Sequence, residues 1–207
     1  MRRTGKFGKY SRADLLRLGR RFLEEVAGHR DHSKWGTEEW TEQVLDWFSA
    51  DRAEHVVVHA RAPRGARSDV GPRAATRGEY LVDLAHSTWP GYAKPRTRAY
   101  WNEALAPERE PKLELLLALE CEWGKVENAR ETLHRVMQDA AKLLHLAARA
   151  KVVVFSGTNQ QNSGDLLGLL RRLAARDPTR APWLFIDVPW SRDPATFELS
   201  QPPGETG

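Results

Sequence analysis

The stretch LLLALECEWGK, Leu115 to Lys125, decides how this chain is read. Its apolar run is short, and it ends in two carboxylates spaced two apart. In a β-strand, residues i and i+2 point to one face. Glu120 and Glu122 therefore project together, while Leu117, Leu119, Cys121 and Trp123 point to the other face. Two carboxylates side by side at the end of a buried strand repel each other and are costly to desolvate. A metal ion, a shared proton or an arginine could offset that cost.

The segments on either side extend the pattern. Downstream, VENARETLHRVMQDAAKLLHLAARA carries Val126, Ala129, Leu133, Val136, Met137, Ala140, Leu144 and Ala147 at helical spacing, which predicts one long helix. KVVVFSG then reads as a strand buried on both faces. The polar turn TNQQNS leads to a helix from about Gly164 to Ala175, and WLFIDVPW from Trp183 reads as a last strand. A helix joining two strands implies a parallel pair. Upstream, HVVVHARA from His55 and EYLVDLAHS from Glu79 read as strands that can meander antiparallel. Two helices come first: one capped by Ser11 with Leu15, Leu18, Phe22 and Val26 on its stripe, and one from Thr37 with Trp40, Val44, Trp47 and Phe48. The expected fold class is α/β, a central mixed β-sheet flanked by helices. Residues 1–190 form one domain with N-terminal helices, and 191–207 form a flexible tail.

Composition sets the outer bounds. The 207 residues suit one domain with a full core. A net charge of +4 permits a polyanionic partner without establishing one. A single cysteine excludes an internal disulfide and fits a reducing cytoplasm. No apolar run reaches the roughly 18 to 20 residues that span a bilayer, and the basic N-terminus lacks the apolar stretch of a signal peptide. The expected location is cytoplasmic, without a membrane partner.

The strand EYLVDLAHS holds an acid, Asp83, where apolar residues are expected. An acid in one strand and an acidic pair at the end of the next can converge on adjacent strands. Three oxygen donors in one place suit Mg²⁺ or Mn²⁺, and such a site can activate water and stabilise charge on a phosphodiester. The competing account makes Glu120 and Glu122 exposed acids at a strand end and lets Asp83 start a turn.

A strand with Asp, then a strand ending in Glu-x-Lys or Glu-x-Glu, then a helix and a further strand resembles the PD-(D/E)xK nuclease superfamily, the core of type II restriction enzymes and many repair nucleases. The resemblance covers roughly Glu79 to Phe155. It implies a restriction-endonuclease-like core of order α-β-β-β-α-β and a Mg²⁺-dependent endonuclease, with DNA ahead of RNA as substrate. By that resemblance Asp83 and Glu120 are metal ligands, and Glu122 holds the place of the usual lysine, as a base or a further ligand. Val82 stands where the family often has proline, and the replaced lysine leaves the developing charge less well stabilised.

A lysine moved to the helix would restore the cation, and Lys142 and Asp139 are the residues to weigh. On a helical wheel Lys142 lies almost opposite the stripe of Leu133, Ala140 and Leu144, which argues for a solvated face, while Asp139 lies at the stripe's edge. Glu79 and Lys125 are near the site by sequence alone. Nucleic-acid contacts are expected from the basic loops: Arg61, Arg64, Arg67, Arg73 and Arg77 before the Asp83 strand, and Lys94, Arg96 and Arg98 after it. A solvated arginine-rich loop accounts for them equally well.

Other features carry less. A thiolate at Cys121 beside carboxylates has its pKa moved the wrong way for a nucleophile, so it reads as core. FSGTNQQNSGD lacks the Gly-Lys-Ser/Thr ending of a nucleotide-binding loop. Trp89 could stack on a base or pack in a turn. The expected partners are nucleic acid and, for a homodimer, a second copy of the chain. The rival function is a non-catalytic nucleic-acid-binding or protein-interaction module on the same fold, favoured by the missing lysine. A third, an enzyme for a small phosphorylated substrate, requires a deep pocket.

Overall fold

A computed structural model of the chain describes residues 10–27, 36–50, 56–59, 76–77, 82–87, 114–123, 128–157, 160–189 and 194–200. Helix α1 (Arg12–Phe22) begins at the Ser11 cap: Ser11 Oγ accepts from the Asp14 N–H, and the Asp14 carboxylate accepts from the Ser11 N–H. Such a capping box typically contributes about 1 kcal/mol. A single π-helical turn (Leu23–Ala27) follows, and then α2 (Thr37–Ala50).

These helices cover one face of a seven-stranded sheet of order β2-β1-β3-β4-β5-β6-β7. The strands are β1 (Val56–His59), β2 (Thr76–Arg77), β3 (Leu84–Ser87), β4 (Leu115–Trp123), β5 (Ala148–Ser156), β6 (Trp183–Asp187) and β7 (Thr196–Leu199). Leu15, Leu18, Phe22, Trp40, Val44 and Phe48 pack there on Leu117, Leu119, Cys121, Trp123, Val152, Val154 and Ile186. Helices α3 (Ala129–Lys142) and α4 (Gln160–Ala174) cover the opposite face, where Val136, Ala140, Leu143, Leu166 and Leu170 meet Ala118, Val153, Phe155 and Phe185. Each fully buried aliphatic or aromatic side chain stabilises the fold by about 1.5–3 kcal/mol. β4 and β5 are thus covered on both faces, and their continuous apolar runs follow from that.

The expected strand directions hold. β1 pairs antiparallel with β3 and β3 with β4, while β4, β5 and β6 run parallel through the two crossover helices. Among the described residues no helix is long and apolar enough to cross a membrane.

Four expectations need correction. The segment from Ser191 is not all loose tail, because β7 pairs antiparallel with the edge of β6. The Phe197 ring packs so close to Gly19 of α1 that a Cβ there would lie 2.6 Å from it, and Ser200 exchanges hydrogen bonds with the Trp183 backbone. The basic loop is not wholly loop either, since Thr76–Arg77 pairs parallel with β1. The long helix stops at Lys142, turns once through Leu143–His145, and yields to β5 at Ala148. Alanines favour helix, but pairing with β4 overrides that propensity. Helix α4 starts at Gln160, about four residues earlier than the spacing suggested.

Candidate metal-binding acidic site

β4 carries Glu120 and Glu122 on the α3 side, as the alternation requires, with Leu119, Cys121 and Trp123 in the core on the other side. Asp83 is not inside a strand as expected; it lies in the bend that leads into β3. The antiparallel register Leu84↔Leu119 nevertheless brings it beside Glu120. The Asp83 carboxylate accepts from the Cys121 backbone N–H at 2.9 Å, and Cys121 Sγ lies 3.4 Å from the same oxygen. Cys121 is therefore a core residue that also touches an acid. Burial, then Asp83, pushes its thiol well above the ordinary range, which leaves it inert.

Glu120 is 2 % exposed. Asp83 lies beside it, and its Oε1 has no hydrogen-bond partner. The nearest cation is Lys142 Nζ, 3.6 Å from that oxygen. Lys142, a candidate for the missing cation weighed against a solvated helix face, thus reaches the site while 40 % exposed, and its ammonium also pairs with Asp139. Glu122 lies beside Asp139, and Arg135 Nη1 stands 4.0 Å from Glu122 Oε1.

The result is two carboxyl pairs, Asp83–Glu120 and Glu122–Asp139, with Lys142 between them and Arg135 at the outer edge. Burial first, and Asp83 second, push Glu120 up to about 9, and Lys142 offsets only part of this. Burial and then Asp139 push Glu122 up to about 7, against the pull of Arg135. Burial draws Lys142 down, but Asp139 and Glu120 together outweigh it and hold the ammonium above its usual range. Four carboxylates face two cations, and the site carries an excess of negative charge whenever its acids ionise.

Among the described residues, no three His, Cys, Asp or Glu side chains are gathered tightly enough to ligate one ion together. The expected trio of Asp83, Glu120 and Glu122 is accordingly not gathered into one ligand set. Mg²⁺ takes one or two carboxylates and keeps several waters. The Asp83–Glu120 pair, with a buried oxygen that lacks a donor, fits that requirement.

Asp139 was visible in the sequence only as a residue at the edge of an apolar stripe. Arg135 gave no signal beyond its spacing, four residues before Asp139 and seven before Lys142. Arg61, Arg64, Arg67, Arg73, Glu79, Trp89, Lys94, Arg96, Arg98 and Lys125 lie outside the described residues, and Arg77 is placed only as part of β2. No protein-family model matches this chain, and neither a curated protein nor a solved structure matches it.

Proposed function

We propose that the chain is a metal-dependent nuclease of the restriction-endonuclease-like class, hydrolysing phosphodiester bonds in DNA. One observation carries the reading: Glu120, almost wholly buried, presents an oxygen without a hydrogen bond beside Asp83, in the bend that leads into the neighbouring strand, and a lysine from the following helix. A buried acid in such straits is costly to fold, and sites of this kind cluster where chemistry is done. Asp83 and Glu120 would hold Mg²⁺ or Mn²⁺. When bound, such an ion neutralises phosphate charge and lowers the pKa of water.

The remaining groups divide the work by their environments. Glu122, at about 7, is suited to accept a proton from an attacking water near neutral pH. Burial and the neighbouring Asp139 raise it to that value, and Arg135 pulls it down. Lys142 provides the cation missing from the Glu-x-Glu pattern, donating toward charge that develops on the phosphoryl oxygens.

The second reading is a non-catalytic binding module, and one observation favours it. The Asp83 carboxylate already serves a structural end, accepting the Cys121 N–H just past the β3–β4 ladder. Supercoiled plasmid and labelled single strands, incubated with Mg²⁺, Mn²⁺ or EDTA, separate the two. The nuclease reading expects metal-dependent nicking by the parent and a loss of about 10³-fold or more in Glu120→Ala, equivalent to about 4 kcal/mol of barrier. No cleavage of any substrate, together with a melting temperature indifferent to metal, selects the binding module.

A further inference from the structure

Arg135 stands two helical turns before Lys142 on α3, about 10 Å along the axis. The helix runs against β4, so Lys142 faces Glu120 while Arg135 faces Glu122, nearer the strand's end. One arm of its guanidinium pairs with Glu131 and the other approaches Glu122 at 4.0 Å. Glu131 is itself fixed, since the Asn128 side chain accepts its N–H at 3.0 Å and donates to its carboxylate at 3.4 Å. The guanidinium is thus held by Glu131 at the lip of the site, 4.0 Å from Glu122, and its side chain is 45 % exposed.

We propose that Arg135 is a phosphate-binding residue that receives the nucleic-acid backbone at a phosphate a few nucleotides from the one attacked. The proposal rests on the nuclease reading of Asp83 and Glu120. A polyanion approaching this site meets a cluster of acids, and a cation in front of them favours its approach. A guanidinium offers five donors in a rigid plane; one arm of this one is hydrogen-bonded to Glu131, and the arm 4.0 Å from Glu122 keeps donors for a phosphate. An exposed helical Arg–Glu pair contributes only about 0.3–0.5 kcal/mol, so stability alone gives little reason for the second contact at Glu122. The offset of about 10 Å from Lys142 is about three times the roughly 3.4 Å rise per nucleotide along one strand, which places Arg135 at a phosphate a few nucleotides from the one attacked.

The test uses the full chain and a fluorescein-labelled DNA, as duplex and as single strand. Anisotropy titrations in EDTA over a range of salt compare the parent with Arg135→Ala and Arg135→Lys, and steady-state cleavage is then followed with Mg²⁺. Arg135→Ala should make the slope of log affinity against log salt shallower by about one unit. Its KM should rise about five- to tenfold with kcat held within about twofold. Arg135→Lys should keep the parent's slope, because the charge remains, and recover only part of the KM. Parental slope and KM in Arg135→Ala overturn the assignment. So does a fall in kcat at unchanged KM, which would make Arg135 a support for Glu122. A parent that neither binds nor cuts DNA removes the nuclease reading itself, an outcome distinct from an active parent indifferent to Arg135→Ala.

Discussion

Lys142 and Lys151 lie nine residues apart and each pairs with an aspartate, but their surroundings differ. Neither Lys151 nor Asp177 exposes any side-chain surface; Lys151 Nζ is 2.6 Å from Asp177 Oδ2 and 3.3 Å from Thr179 Oγ1. Asp177 also accepts from the Trp183 indole at 2.7 Å and from Thr179 through both its N–H and its hydroxyl. Burial works to raise the Asp177 pKa, but hydrogen bonds from Lys151, Thr179 and Trp183 outweigh it and hold it below the ordinary range. One cation meets one anion, and both carboxylate oxygens have donors. At the other pair Lys142 is 40 % exposed and serves two acids within a cluster of four, and Glu120 keeps an oxygen without a donor. Balanced charge closes a structure, whereas unbalanced charge leaves a place for something from outside.

The largest expected effect tests the closed pair. Asp177→Ala leaves the Lys151 ammonium in a dry interior without its counter-ion, and breaking such a pair costs about 3–5 kcal/mol. Urea unfolding should show that loss, while the response of the melting temperature to Mg²⁺ is unchanged. An unaltered urea midpoint would break the comparison, because Lys151–Asp177 would then not be a structural lock.

The next effect has the opposite sign. Glu120 holds its proton up to about 9 in the folded chain, against an ordinary 4.5. Between those values the unfolded chain has lost the proton and the folded chain has kept it, so stability falls as pH rises through this window. Glu120→Gln has no proton to lose. It should be more stable than the parent by on the order of 2–4 kcal/mol near pH 8, and the advantage should vanish below about pH 4.5. Urea midpoints in EDTA at the two pH values check this. An advantage of equal size at both would mean that Glu120 is not a stored charge burden.

Much of this contrast could be read before folding, and the parts that could not have physical reasons. The alternation in LLLALECEW placed Glu120 and Glu122 on one face, and the helix crossing gave the parallel β4–β5 pair. The helix-wheel placement of Lys142 failed because the wrong stripe was used. Leu133 and Leu144 are only half buried, whereas the residues that reach the core are Thr132, Val136, Ala140 and Leu143. That stripe lies roughly 65° round the helix, which puts Lys142 on the flank and within reach of the strand. Thr132 concealed it, a polar residue buried because its hydroxyl donates to the Asn128 carbonyl. Lys151 looked like the first residue of an apolar run. Nothing local identifies Asp177, 26 residues away, as its counter-ion.

Lys142→Met is the smallest and sharpest perturbation. Methionine keeps most of the lysine stem, so the packing of that stem is preserved and only the charge is lost. An ammonium this exposed is screened by water, and stability should change by less than about 1 kcal/mol. The site should respond in two further ways. Cleavage should slow by about 10–100-fold through kcat, since charge developing on the phosphate loses a donor. Mg²⁺ should also raise the melting temperature of the variant more than that of the parent, because Lys142 and a metal ion compete for Glu120. If Lys142 were instead a second Lys151, the variant would lose several kcal/mol and its response to metal would not change. Measuring the melting temperature of both proteins with and without Mg²⁺ separates a cation that closes a structure from one that gives way to another cation.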